Sequence, residues 1–95
     1  MEPLKVGDLC ITLVKSKGNK VPAGAQVEIV RFDLGRYFEP FKYLNYPRLY
    51  ANETLYEART PAGFHVIGRR PQFMKISPDA YIRLEQMRET LKGIA

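Results

Sequence analysis

Turn-forming residues cut the first 77 positions into short pieces, and this punctuation constrains the fold more than any other feature. Val6-Gly7-Asp8, Pro22-Ala23-Gly24, Thr60-Pro61-Ala62-Gly63 and Gly68-Arg69-Arg70-Pro71 each combine a residue free to take positive φ with one that presets or breaks the backbone. The runs between them are too short for stable helices and rich in β-branched and aromatic residues. Asp8–Lys15, Gln26–Phe32, Thr54–Arg59, Phe64–Ile67 and Phe73–Ile76 therefore read as five strands. The 26–32 run alternates, with Val27 and Ile29 on one side and Glu28 between them. Residues 8–32 form a candidate antiparallel pair across a polar loop, and 54–67 a candidate hairpin.

The period changes at Ser77. Ser77-Pro78-Asp79 supplies a side-chain cap, a proline at the first helical position and an acid facing the positive end of the helix dipole. Ala80, Leu84, Met87, Leu91 and Ile94 then recur every three or four residues. They mark an apolar stripe on a helix over 78–92, with Gly93 placed to end it. The stripe is expected to dock on the strands, because a lone helix of this length is marginal in water. A homodimer seam is the alternative. The expected fold is mainly β (α+β): a strongly bent five-stranded antiparallel barrel over 5–77, closed by the helix, in one 95-residue domain.

One segment does not fit that pattern. Between Phe32 and Tyr56 lie eight of the eleven aromatic residues, and Gly35, Pro40 and Pro47 interrupt them. Pro40 offers the start of a short turn through Asn45 that Pro47 would stop. Tyr and Arg give large contact area at low entropic cost, so Arg36, Tyr37, Tyr43, Tyr46, Arg48 and Tyr50 are candidate partner-binding residues. Phe32, Phe38, Phe41 and Tyr56 are better suited to filling the core of a protein that lacks Trp.

Charge is distributed unevenly. The net charge is +5, yet residues 33–58 carry −1 and residues 59–77 carry +4 with no acid. Arg59, Arg69, Arg70 and Lys75 make up this basic run, which Lys15, Lys17 and Lys20 would extend if the fold gathered them. A phosphate-binding patch is the functional reading, and a solvated surface the plain one. Base stacking on the aromatic segment would require the basic run beside it.

The catalytic inventory is thin. Cys10 and His65 are the single cysteine and histidine, and a dyad between them requires the first and fourth strands to adjoin. There is no Cys or His pair at metal spacing, no paired-carboxylate motif and no glycine-rich phosphate loop. The expectation is a non-catalytic protein without cofactor or metal. The N-terminus has no apolar leader, and no run approaches the ~20 residues that span a bilayer. With one cysteine, these features suggest a cytoplasmic protein without membrane contact.

Val6-Gly7-Asp8-Leu9-Cys10-Ile11, the glycine before Val27-Glu28-Ile29-Val30, and the closing Arg69-Arg70-Pro71-Gln72-Phe73-Met74-Lys75-Ile76 resemble small SH3-like barrel proteins. Such proteins are common among the accessory genes of tailed phages and mobile elements. The aromatic insert at 33–50 and the C-terminal helix depart from the minimal pattern. The resemblance implies an accessory or inhibitor protein in the host cytoplasm that binds a host protein or ribonucleoprotein, for example in an anti-defence, anti-CRISPR-like role. The alternative is a nucleic-acid-binding module using the 59–77 run.

Overall fold

Five strands form a single antiparallel sheet in the computed structural model, which describes residues 2–15, 21–38 and 46–94 (backbone only for Tyr46 and 92–94). The strands are β1 (Leu9–Thr12), β2 (Gln26–Leu34), β3 (Thr54–Arg59), β4 (His65–Arg69) and β5 (Phe73–Lys75). Their order is β4-β3-β2-β1-β5, so the last strand returns beside the first. No ladder joins β4 to β5, and the sheet is open at these two edges. A 3-10 turn at Arg70–Gln72 carries the chain across from one edge strand to the other. Among the described residues two helices complete the fold: α1 (Tyr46–Leu49) and α2 (Pro78–Ile94).

The turns form where the glycines allow them. Gly7, Gly24 and Gly63 all adopt positive φ, with values of 93°, 82° and 92°. At the β3–β4 hairpin the Thr60 hydroxyl accepts the Phe64 N–H at 3.0 Å, and the Gly63 N–H reaches the Thr60 carbonyl at 2.9 Å. Asp8 closes the first turn by accepting the Lys5 N–H at 2.8 Å.

A bulge in β2 decides which side chains face inward. Ile29 pairs with Ala58, but Arg31 pairs with Glu57 and Phe32 with Tyr56, so one residue is looped out between Ile29 and Arg31. Without it, strict alternation would carry Ile29, Arg31 and Asp33 to the core side together. With it, Ile29 and Phe32 share the inner side, and Arg31 and Asp33 turn outward.

The main core lies on that inner side: Leu4, Cys10, Val21, Val27, Ile29, Tyr56, Ala58, Val66 and Phe73. Tyr56 is buried as expected, and its hydroxyl accepts the Leu4 N–H at 3.3 Å. Phe32, expected in the core, is 47% exposed. It lies on the part of β2 that runs past its pairing with β1, with its ring 5.9 Å from that of Tyr56.

Helix α2 starts as the sequence indicates, with the Ser77 hydroxyl accepting the Ala80 N–H at 3.1 Å. It continues through Gly93 to Ile94. It does not lay its stripe on the sheet. Ala80, Tyr81, Leu84 and Glu85 are half-buried, while every residue from Gln86 to Leu91 is exposed. The Gln26 side-chain amide holds its first turns by donating to the Tyr81 carbonyl at 2.7 Å. The molecule measures 45 × 27 × 17 Å, and the helix extends beyond the sheet.

Candidate functional site

The aromatic segment is an excursion between β2 and β3 whose neck is tied shut. The Gly35 N–H donates to the Glu53 carbonyl at 2.9 Å and the Arg36 N–H to the Ala51 carbonyl at 3.1 Å. These bonds extend the β2–β3 pairing past the end of the ladder. A 3-10 turn at Gly35–Tyr37 then packs on α1 so closely that Gly35 admits no side chain. A Cβ there would collide with the Tyr50 carbonyl oxygen and stand 2.7 Å from that of Pro47. Pro47 lies inside α1 and is buried. The expected turn over 40–45 falls outside the described residues.

The excursion also covers the outer side of the sheet. Leu55 is fully buried although it points away from the core that holds Tyr56. Phe38 is buried with it, and the Arg31 guanidinium lies over the Phe38 ring at 4.2 Å. At the far end Arg69, paired with Leu55 in register, lies over the Tyr50 ring at 4.8 Å and meets the Glu53 carboxylate at 2.9 Å. A small second layer of Phe38, Pro47, Leu55 and Tyr50 therefore holds the segment in place.

The side chains left on its surface are the candidate site. Tyr37 is 57% exposed with the Arg36 guanidinium 5.9 Å from its ring. Arg36 also hydrogen-bonds the Asn52 side chain and reaches the Ala51 carbonyl. Arg48 is exposed and Tyr50 half-buried. The backbone of Tyr46 opens α1, and Tyr43 lies outside the described residues. Leu49, which sequence reasoning passed over, is 70% exposed. A single aliphatic residue in an irregular segment has no periodicity to reveal it.

The basic run is dispersed. Arg59 and Arg69 mark opposite ends of the β3–β4 ladder, separated by about 13 Å along the strand. Lys75 lies on β5, at the other edge of the sheet, and pairs with Asp8 at 3.5 Å. Arg70 points away from Arg69: its Nε donates to the Glu2 carbonyl at 2.6 Å and its Nη1 to the Phe73 carbonyl at 2.8 Å. Both arginines of the adjacent pair therefore hold the fold together, one at the excursion and one at the N-terminal segment. Of the lysines expected to join them, Lys17 and Lys20 lie outside the described residues.

Cys10 and His65 do not meet. Two strands separate β1 from β4, and Cys10 is buried among core side chains. Burial, and secondarily the Asp8 carboxylate, push its thiol from the ordinary 9.0 up to about 11, which keeps it protonated. His65 is exposed on the outer side, where Nδ1 stands 3.3 Å from the Glu57 carboxylate that also meets Arg31 at 3.4 Å. Among the described residues no three His, Cys, Asp or Glu side chains gather as a metal site, and no helix is long and apolar enough to cross a membrane. Comparison of the chain with protein-family models, curated proteins and solved structures gives no match.

Proposed function

We propose that this chain is a non-catalytic binding protein that engages a protein partner through the outer surface of the 36–50 excursion. Arg36, Tyr37, Arg48, Leu49 and Tyr50 form the contact, with Tyr43 and Tyr46 in the same segment. One observation carries the reading. The excursion is braced by its neck, by Gly35 and by the Phe38–Leu55 layer, yet it presents Tyr37 and Leu49 to solvent. Preordered aromatic and aliphatic anchors lose little entropy on binding.

The SH3-like reading extends the proposal. The five-stranded antiparallel sheet with its last strand beside its first is compatible with a strongly bent scaffold of that kind, although no ladder joins β4 to β5. The resemblance then gives the partner class: a host protein or ribonucleoprotein bound by a phage-type accessory protein in an anti-defence role. The nucleic-acid alternative has less support, because Arg69, Arg70 and Lys75 already contact groups of the fold.

The test is affinity capture from a host lysate with and without nuclease, using wild type and a Tyr37→Ala/Leu49→Ala variant. Both side chains are exposed, so the variant should melt like wild type yet retain at least about tenfold less of the captured protein. Equal capture by the folded variant would refute the proposal. Capture lost on nuclease treatment, or falling steeply with salt, would favour the nucleic-acid module.

A further inference from the structure

The two edges of the sheet are not alike. β5 is short, its Phe73 carbonyl already accepts the Arg70 guanidinium at 2.8 Å, and it ends in Lys75. Short length, occupied groups and lysine are means by which an edge strand avoids pairing with another chain. β4 is longer and has neither lysine nor proline. Its outward groups follow from the hairpin. The Thr60 N–H donates to the Phe64 carbonyl at 2.8 Å, so these two residues form a hydrogen-bonded pair. Alternation along the ladder then turns the backbone groups of Val66 and Gly68 toward β3, and those of His65, Ile67 and Arg69 away from it. The Arg69 N–H is taken by the Gln72 side chain at 2.6 Å. Among the described residues the N–H and C=O of His65 and Ile67 meet no partner.

These open groups complement themselves in one register. Two antiparallel β4 strands with a two-fold axis at Val66 set His65 of each copy against Ile67 of the other. Both residues then exchange N–H and C=O bonds across the seam, and all their outward groups are used. An axis at Ile67 would set His65 against Arg69, whose N–H is already bonded to Gln72. An axis at His65 would set Ile67 against Gly63, in the hairpin turn. The side chains suit the same register. On the inner side Val66 meets Val66 of the other copy, and Phe64, 46% exposed, lies opposite Gly68. Gly68 offers no side chain to obstruct that ring, because Gln72 and Phe73 occupy the place of its Cβ. A ring set against a glycine is a pairing that sheets use. On the outer side the row runs Glu57, Ile67, then His65 and Arg59 of the other copy. Arg69, held to Glu53, falls opposite Gly63. No carboxylate faces a carboxylate across the seam, and no guanidinium a guanidinium.

We propose that β4 is a dimerisation edge, pairing with β4 of a second copy of this chain so that the two sheets become one. The arrangement closes on itself, since each copy contributes the same strand. It uses no side chain of the 36–50 surface, so it stands or falls separately from the proposed partner site.

The seam is small, and a dissociation constant of about 100 µM is expected. About four-fifths of the chains are then paired at about 1 mM, and about a quarter at about 20 µM. Sedimentation velocity over that range should show the wild type moving from the 10.9 kDa chain mass toward twice that mass. Hydrogen exchange followed by NMR should show the His65 and Ile67 amides slowing about fourfold from the lower concentration to the higher. His65→Pro removes an outward N–H and none of the bonds to β3, as edge strands allow. It should weaken association at least about tenfold. A wild type that stays monomeric to about 1 mM overturns the proposal and leaves the edge to a strand of a different protein. A dimer whose His65 and Ile67 amides exchange at unchanged rates also overturns it, because another surface would then be the seam. So does a folded His65→Pro protein that associates as the wild type does. Should that variant not fold, the exchange rates of the wild type decide.

Discussion

Replacing Gly35 with alanine tests whether the excursion is braced as described, and the sign of the effect decides the matter. Gly35 is not among the positive-φ glycines, so its backbone accepts alanine without conformational strain. On that ground alone, Gly35→Ala would stabilise the protein by about 0.4–1 kcal/mol, because the unfolded chain loses freedom. The surroundings predict the opposite. The added carbon meets the carbonyls of Tyr50 and Pro47 and stands 2.8 Å from the Tyr50 carbonyl carbon. All are backbone atoms, so relief requires the 47–50 backbone to move away from the Gly35–Tyr37 turn. Overpacking of this kind costs about 1–3 kcal/mol, leaving a net loss of about 1–2 kcal/mol. For a domain of this size that lowers the melting temperature by about 5–15 °C. Urea melts followed by circular dichroism measure the loss. Hydrogen exchange locates it, since the Arg36 amide should lose protection while the β1–β2 amides keep theirs. A melting temperature equal to or above wild type would refute the close approach and the brace with it.

Two further predictions concern groups the fold holds tightly. Because Cys10 has a higher pKa folded than unfolded, its stabilising contribution is complete below about pH 9 and is lost as pH rises toward 11. The loss is about 2–3 kcal/mol, and the urea midpoint of wild type should fall more steeply over that range than that of Cys10→Ala. Parallel profiles would contradict the burial argument. Tyr81, raised by burial and by Glu85, shifts both proteins alike and cancels in the difference. The adjacent arginines should also part company. Arg69→Ala removes an exposed ion pair and a ring contact and should cost about 1 kcal/mol or less. Arg70→Ala breaks two charged hydrogen bonds to backbone carbonyls, one part-buried, and should cost about 1.5–3 kcal/mol. Equal effects would mean that Arg70 does not tie the N-terminal segment.

The strands were legible because each is bounded by residues with a local reason to turn. Gly24 and Gly63 needed no tertiary partner to announce a change of direction, and Ser77-Pro78 announced the helix the same way. What the sequence hid depends on contacts between distant positions. The bulge between Ile29 and Arg31 follows no local rule, and it determines that Phe32 shares the core side while standing at its exposed end. The extent of helix docking depends on such contacts as well. Periodicity shows that α2 has an apolar side but not how far along it burial extends, and burial stops after Glu85. The adjacent arginines looked like one basic feature because sequence adjacency suggests a shared direction. A strand end leading into a 3-10 turn sends them to opposite sides. In the excursion, Tyr and Arg did mark the surface-facing segment, but Leu49 and the bracing role of Pro47 depend on the fold.

The tied neck of the excursion also has an evolutionary consequence. Its two ends are fixed by β2 and β3, whatever lies between them, so the cost of closing the loop changes only slowly with its length. Residues past Tyr37 can therefore be exchanged, inserted or removed with most of the effect confined to the second layer. The five strands and their core would not have to be reinvented for each new partner. Selection acting on such a chain could alter what it recognises far faster than how it folds, with Gly35 among the few positions in the segment not free to vary.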